Sequence, residues 1–207
     1  MRLRLWQPLR DRDTETRDIV KAGTPLLRDK TFENVKIVSP VAGMVKAIVR
    51  GERRKIERVI VEASGAGDTV VFDSAVARTR EEAVDLLSRS GLLVMIRQRP
   101  YDIVPRPDVV PRDIFVTAID SAPLAADMAL QVKGKEKYLA RGVELLGNIT
   151  TGKVYVAIRP GALTEIPGAE MINVTGPHPA GNAGVQIAHI SPVNKGEVVW
   201  TLDIVTL

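Results

Sequence analysis

The groups in this 207-residue chain whose types could do chemistry are few: two histidines, no cysteine, and short clusters of arginine. His178 lies in VTGPHPAGNAGV, residues 174–185, between Pro177 and Pro179 and among Gly176, Gly181 and Gly184. A glycine-rich loop cradles phosphate when its glycines run GxGxxG, or when GK and a hydroxyl residue close it. Here the spacing is GxxxxGxxG, and Asn182 and Ala183 follow Gly181. His189 is the second imidazole, and no carboxylate lies between the two histidines, so the segment lacks a metal-ligand set. Two readings remain for it. One is a turn of restricted backbone; the other is an imidazole held by its flanking prolines toward a ligand or a neighbouring protein.

GNITTGKV, residues 147–154, comes within one residue of the P-loop pattern GxxxxGK[ST]. Val154 stands where the magnesium-binding hydroxyl belongs, and a helical pattern precedes the loop while a strand pattern follows it. That order aims no helix N-terminus at phosphate. A helix C-cap and turn is expected instead. A third pattern, VKAGTPLLRDKTFENVKIVSPVAGMV (residues 20–45), resembles the biotinyl/lipoyl barrel-sandwich domain, with Asp29–Lys30 as its lipoyl-like DK. Lys30 comes four residues after Leu26 and ten before Pro40, nearer the first strand than a swinging-arm lysine sits. It reads as a surface lysine, with a lipoyl- or biotin-type carrier module fused to an α/β domain as the alternative. The lack of cysteine removes disulfides, thiolate nucleophiles, iron–sulfur ligation and thiolate zinc sites together, and fits a reducing cytoplasm.

The elements that must position these groups fall into two halves. In the first, Met44 to Val49 and Ile56 to Val61 form a hairpin around Gly51, preceded by short strands with turn glycines Gly23 and Gly43. Thr79 and Glu82 make a capping box for a helix over about 80–90, ended by Gly91. RPYDIVPRPDVVP (99–111) carries four prolines and reads as an extended linker. Beyond it, IFVTAI (114–119) and KVYVAI (153–158) are buried-type strands around the helical pattern of KEKYLARGVELLGN. AEMINVT and EVVWTLDIVTL offer further strands. The expected domains are 1–98, a barrel-sandwich (biotinyl/lipoyl-like) domain with a following helix; 99–111, the Pro-rich linker; and 112–207, an open Rossmann-like α/β domain built on a right-handed βαβ crossover.

Charge adds a further clue. The net charge is +4 with Arg2, Arg4, Arg10, Arg12 and Arg17 near the start and Arg50, Arg53, Arg54, Lys55 and Arg58 around the hairpin turn. Aromatic residues make up only 4% of the chain, leaving few stacking platforms for nucleic acid. An acidic partner or an anionic membrane surface suits the pattern better. No apolar run approaches the ~18 residues of a membrane span, and MRLRLWQPLRDRD has no apolar core of a secretory signal.

Several segments together resemble one family, the NqrA subunits of the sodium-translocating NADH:quinone reductases: VKAGTPL with Asp29–Lys30, SPVAGMV (39–45), RGERRKI (50–56), SGLLVMIRQRPY (90–101), IFVTAIDSAPLAAD (114–127) and VTGPHPAGNAGVQIAHISPVN (174–194). The resemblance covers about residues 18–207 and leaves out the family's opening glycine-containing segment and its later domains. It implies a hydrophilic peripheral protein on the cytoplasmic face of the bacterial inner membrane, partnered by the other subunits of the complex. Electrons there pass from NADH through FAD, FMN and Fe–S centres to quinone, coupled to sodium export. The resemblance assigns none of those cofactors to this chain and associates it with quinone and quinone-site inhibitors. It also implies a fold like that of the flavin-bearing component of respiratory complex I. The chain alone is expected to be inactive.

A quinone needs an apolar wall for its ring and donors for its carbonyl oxygens. MIRQRPY supplies Met95 and Ile96 beside Arg97, Arg99 and Tyr101, which would share one side of an extended segment. These three, with His178 as a further donor, are the expected quinone contacts. The competing role for the arginines is to clamp the seam between the halves through carboxylates such as Asp120.

Overall fold

The computed structural model describes residues 11–12, 14–65, 67–73 and 77–207. Arg2, Arg4 and Arg10 of the N-terminal basic group therefore lie outside the described residues. The chain forms two compact units, Met1–Val76 with Val84–Val94, and Ala77–Ala83 with Met95–Leu207.

The first unit contains β1 (Asp11–Arg12), β2 (Ile19–Val20), β3 (Pro25–Arg28), β4 (Lys36–Val38), β5 (Gly43–Arg50) and β6 (Ile56–Ala63). They make two antiparallel sheets in the orders β1-β3-β4 and β2-β5-β6. Val20, Leu26 and Val45 form a buried cluster, with Leu27, Ile48, Val59 and Val61 packed against it. Register shifts between Val45 and Ala47 and between Val49 and Arg50 bend the expected hairpin as β-bulges do. Gly43 has to be glycine, because a Cβ there would stand 2.1 Å from the Glu62 carbonyl oxygen on the paired strand.

Helix α1 (Arg80–Arg89) starts where the capping box puts it. The Glu82 N–H donates to Thr79 Oγ1 (3.2 Å), and the Thr79 N–H donates back to the Glu82 carboxylate (3.0 Å). Gly91, at φ +77°, supplies the left-handed stop.

The second unit adds β7 (Arg97–Arg99), β8 (Ile114–Thr117), α2 (Met128–Val132), α3 (Glu136–Gly147), β9 (Val154–Ile158), β10 (Glu170–Asn173), α4 (Ala183–Ile190) and β11 (Val199–Asp203). The sheet order is β10-β9-β8-β11-β7. The first four strands run parallel, and β7 pairs antiparallel with β11. β8 is buried throughout and β9 almost so, which explains their continuous apolar sequences. Phe115, Ile187 and Val199 form a core cluster, and Phe115 stacks on Tyr155 with ring centroids 5.0 Å apart.

Three features differ from the sequence expectation. Arg97–Arg99 is a sheet strand of the second unit, so the Pro-rich segment leaves from an edge strand of that unit instead of starting a free linker. It also stays attached: Gln98 and Ile103 exchange backbone hydrogen bonds, and Arg80 donates to the carbonyls of Pro107 (2.9 Å) and Val109 (3.1 Å). Residues 183–190, of which the sequence pattern assigns 183–185 to the glycine-rich loop, form α4. The last strand stops at Asp203, whose carboxylate accepts from the Thr206 N–H (2.7 Å) and folds the following residues into a turn.

Candidate functional site at the carboxyl edge of the parallel sheet

Four parallel strands place their following loops at one edge, where open α/β sheets bind ligands. The loop after β8 carries Asp120 and Ser121, β9 leads to Arg159, and β10 leads to His178 and Gly181. The structure joins them. His178 Nδ1 lies 3.2 Å from Ser121 Oγ, which also accepts the Gly181 N–H at 2.8 Å. Arg159 donates to the Asp120 carbonyl (3.1 Å), and the Asp120 carboxylate accepts from the Ala122 N–H (2.8 Å). Beneath them, buried Gln186 on α4 accepts from the Thr117 hydroxyl (3.0 Å) and donates to the Gly181 carbonyl (3.2 Å). Helix, strand end and loop are thus tied by one side chain.

The arrangement is suited to binding more than to nucleophilic catalysis. A serine nucleophile needs an imidazole base that a third group orients. Among the described residues, Ser121 is the side-chain partner of His178, and no carboxylate engages the ring. The phosphate route fares no better. The first strand-to-helix connection contains no glycine from Ala118 to Lys133, and it places Asp120 where an incoming phosphate would be repelled. Gly181 packs so closely that a Cβ on it would be 2.5 Å from the Ser121 nitrogen, so protein backbone fills that approach.

A cavity of about 370 Å³ lies beside this edge, between α2, the start of α3 and residues 162–167. Buried Val132, Leu139 and Ile166 line it, and Leu130 and Leu163 add further apolar wall. Lys133, Asp127, Glu136 and Glu165 supply its charges. Two of the acids already serve the backbone: Asp127 caps the Ala129 N–H (2.9 Å), and Glu136 accepts the Gly134 N–H (3.0 Å). Hydrogen bonds from its own N–H and that of Gly134 hold the Glu136 carboxyl below the usual carboxylate range. The Lys133 side chain makes no hydrogen bond or ion pair among the described residues. Three carboxylates against one ammonium disfavour an anionic ligand. A neutral apolar ring with an acceptor for Lys133 fits this lining.

The four residues expected at a quinone are not gathered. Arg97 and Arg99 flank buried Gln98 on β7, so those two share a strand face as expected. Tyr101 lies in the turn beyond, 79% exposed, because the chain reverses between Gln98 and Ile103 and does not stay extended. His178 follows β10, at the opposite side of the sheet from β7. Arg99 pairs with Asp102 at 3.5 Å, not with Asp120. His189 donates from its ring to the Val185 carbonyl one helical turn earlier (2.8 Å). Among the described residues no cluster of three potential metal ligands occurs.

The P-loop look-alike lies at the other edge of the sheet, and its groups are engaged. The Gly152 N–H donates to Thr150 Oγ1 (3.2 Å) and the Lys153 N–H to Asp113 (3.0 Å). Lys153 itself pairs with Glu170, a hydrogen bond that raises its pKa. Lys30 is exposed in the loop joining β3 and β4, where the Asp29 carboxylate accepts the N–H groups of Thr31 (2.8 Å) and Phe32 (3.0 Å).

Sequence reasoning missed Ser121, Arg159, Gln186 and the cavity. Ser121 and Gln186 gain their roles from contacts between distant segments. A polar residue inside the apolar pattern VQIAHI was the one local signal for Gln186.

Comparison with known proteins places both units. The chain matches the model of the NqrA N-terminal barrel-sandwich hybrid domain over residues 12–64 and that of the NqrA second alpha/beta domain over residues 78–207. It is 42% identical over 194 residues to the NqrA protein of the Na(+)-translocating NADH-quinone reductase of Saccharophagus degradans, covering 89% of this chain and 43% of that protein. The NqrA of Hahella chejuensis is 38% identical over 193 residues with the same coverage. That of Neisseria meningitidis serogroup A is 36% identical over 196 residues, covering 90% of this chain and 43% of its own length. The chain spans less than half the length of these relatives. With a barrel-sandwich hybrid model on the first unit's strands and an α/β model on nearly all of the second unit, the chain belongs to the NqrA family of Na(+)-translocating NADH-quinone reductase subunits.

Proposed function

We propose that this chain serves as a peripheral part of a Na(+)-translocating NADH:quinone reductase, on the cytoplasmic face of the membrane, where it docks other subunits and contributes to quinone interaction. The observation that carries the reading is the tandem match of two NqrA domains in order along the chain. No helix among the described residues is long and apolar enough to cross a membrane, consistent with membrane attachment through partners.

The α/β unit is read as Rossmann-like. Numbered from β8, its parallel strands run 3-2-1-4, the first four places of the 3-2-1-4-5-6 order of a dinucleotide-binding sheet. Its first loop lacks the glycines and carries Asp120, and the Gly181 loop packs onto Ser121. These features support a scaffold that leaves NADH, flavin and iron–sulfur chemistry to other subunits. For the quinone, the cavity beside α2 offers what the Arg97–Tyr101 stretch does not: a cleft with apolar wall and the Lys133 ammonium among its lining groups. His178 remains a second donor at the same edge of the sheet.

Co-expression with the membrane subunits of such a reductase tests the docking reading. An affinity tag on this chain is expected to retain them through detergent extraction. A chain that elutes alone while the remaining subunits assemble without it would refute the proposal.

A further inference from the structure

We infer that the tip of the β5–β6 ribbon is a docking surface for anionic lipid headgroups. β2 pairs with β5 only at Gly43 and Met44, whereas β5 and β6 stay paired out to Arg50 and Ile56. Beyond Met44 the ribbon therefore has no third strand in its sheet among the described residues. Its turn, Glu52–Arg54, is closed by the Gly51 N–H to the Lys55 carbonyl (2.9 Å) and the Lys55 N–H to the Glu52 carbonyl (3.1 Å). Residues 50–58 hold five cations (Arg50, Arg53, Arg54, Lys55 and Arg58) against two carboxylates (Glu52 and Glu57), a net +3 within a chain of net +4.

Three of the cations at the tip have no side-chain partner among the described residues. Arg89, Arg106 and Arg112 each pair with a nearby carboxylate. The side chains of Arg53, Lys55 and Arg58 are exposed and make no hydrogen bond or ion pair among the described residues. Arg53 sits in the left-handed region at φ +54°, within the bend of the turn. Three exposed, unpaired cationic side chains thus lie in and just beyond one turn, Arg58 on the strand that leaves it.

The missing anchors decide what kind of surface they meet. A specific protein interface needs buried aromatic or large apolar anchors. No aromatic residue lies between Phe32 and Phe72, and the exposed apolar residues of the ribbon, Met44 and Ile60, pair with Glu62 and Ala47 well back from the turn. Nucleic acid would want stacking platforms for the same reason. A bilayer rich in anionic lipid asks only for basic side chains within a Debye length of its surface. The choice of lipid over other polyanions also draws on the proposed placement beside a membrane complex.

Vesicle co-sedimentation of the full chain tests this. The probes are vesicles of phosphatidylcholine alone and of phosphatidylcholine with about 30% phosphatidylglycerol, at low and near-physiological salt. The chain should bind the mixed vesicles and not the neutral ones, more weakly as salt rises. The triple variant Arg53→Asn, Lys55→Gln, Arg58→Gln should bind on the order of 100-fold more weakly, at roughly fivefold per basic residue. Lys135→Gln, Lys137→Gln and Lys195→Gln together remove the same charge elsewhere and should leave binding within about twofold, which separates a local site from net charge. Circular dichroism of both variants checks folding. Equal loss in the two variants, equal binding to neutral vesicles, no binding to mixed vesicles, or tighter binding to single-stranded DNA would each overturn the inference. Failure of co-purification with the membrane subunits would count against the proposed function while leaving this result to stand by itself.

Discussion

Gly181 is where backbone geometry and the candidate site meet. Its N–H feeds Ser121 Oγ and its carbonyl takes the Gln186 amide, so its position between them is fixed from both sides. A methyl group there would meet the Ser121 nitrogen at 2.5 Å, a backbone contact that no side-chain rotation relieves. Gly181→Ala is therefore expected to lower unfolding stability by about 2 kcal/mol, as overpacking does. His178→Ala should change it by less than about 0.5 kcal/mol, because the imidazole is exposed and Ser121 keeps the Gly181 N–H. Denaturant unfolding of the two variants checks the pair, and equal costs would show that the ring holds the loop. The sequence singled out His178 but gave no hint of Ser121, since a serine between aspartate and alanine has no marker until the fold brings the other loop to it.

At the scale of elements, legibility followed locality. The capping box of α1 was readable because Thr79 and Glu82 act across three residues, and β8 and β9 were readable because burial on both faces demands unbroken apolar runs. α4 was hidden: glycine and proline dominate the residues before it, its Asn182 N-cap makes no side-chain hydrogen bond, and its own sequence includes Gly184. The cap of α1 also yields a pH prediction. Backbone N–H groups of Thr79 and Arg78 lower the pKa of Glu82. A carboxyl depressed in the folded state adds stability above its unfolded value and loses it as pH falls through the folded one. Glu82→Gln keeps an acceptor without the charge. The variant should be less stable than the parent near neutrality, with the difference closing below the ordinary glutamate range. A difference that stays constant between neutral and acid conditions would remove the carboxylate from the account.

At the scale of the whole chain, sequence patterns separated two halves but could not show which edge strand closes the second sheet. β7 belongs there through pairing with β11, a hundred residues later in the sequence, and no local pattern records such a partner. The same non-local assembly decides which residues line the cavity proposed for a quinone. The chain reverses after Arg99, so Tyr101 turns out to solvent. Meanwhile α2, α3 and residues 162–167, none of which shows a motif, line the cleft that contains Lys133. Leu130 lines that cavity yet is 69% exposed, so a charge placed there should spare the fold. Titration of the chain with a short-chain ubiquinone analogue, followed by equilibrium dialysis, is expected to show binding that Leu130→Glu weakens by about tenfold or more, the worth of one apolar contact replaced by a carboxylate. Lys133→Ala should weaken it by about tenfold through the lost charged donor. Arg99→Ala should leave it unchanged, because its guanidinium already faces Asp102 across the turn. If Arg99→Ala or His178→Ala abolishes binding while both cavity variants bind as the parent does, the quinone belongs at β7 or the His178 loop, and the cavity beside α2 is a structural gap.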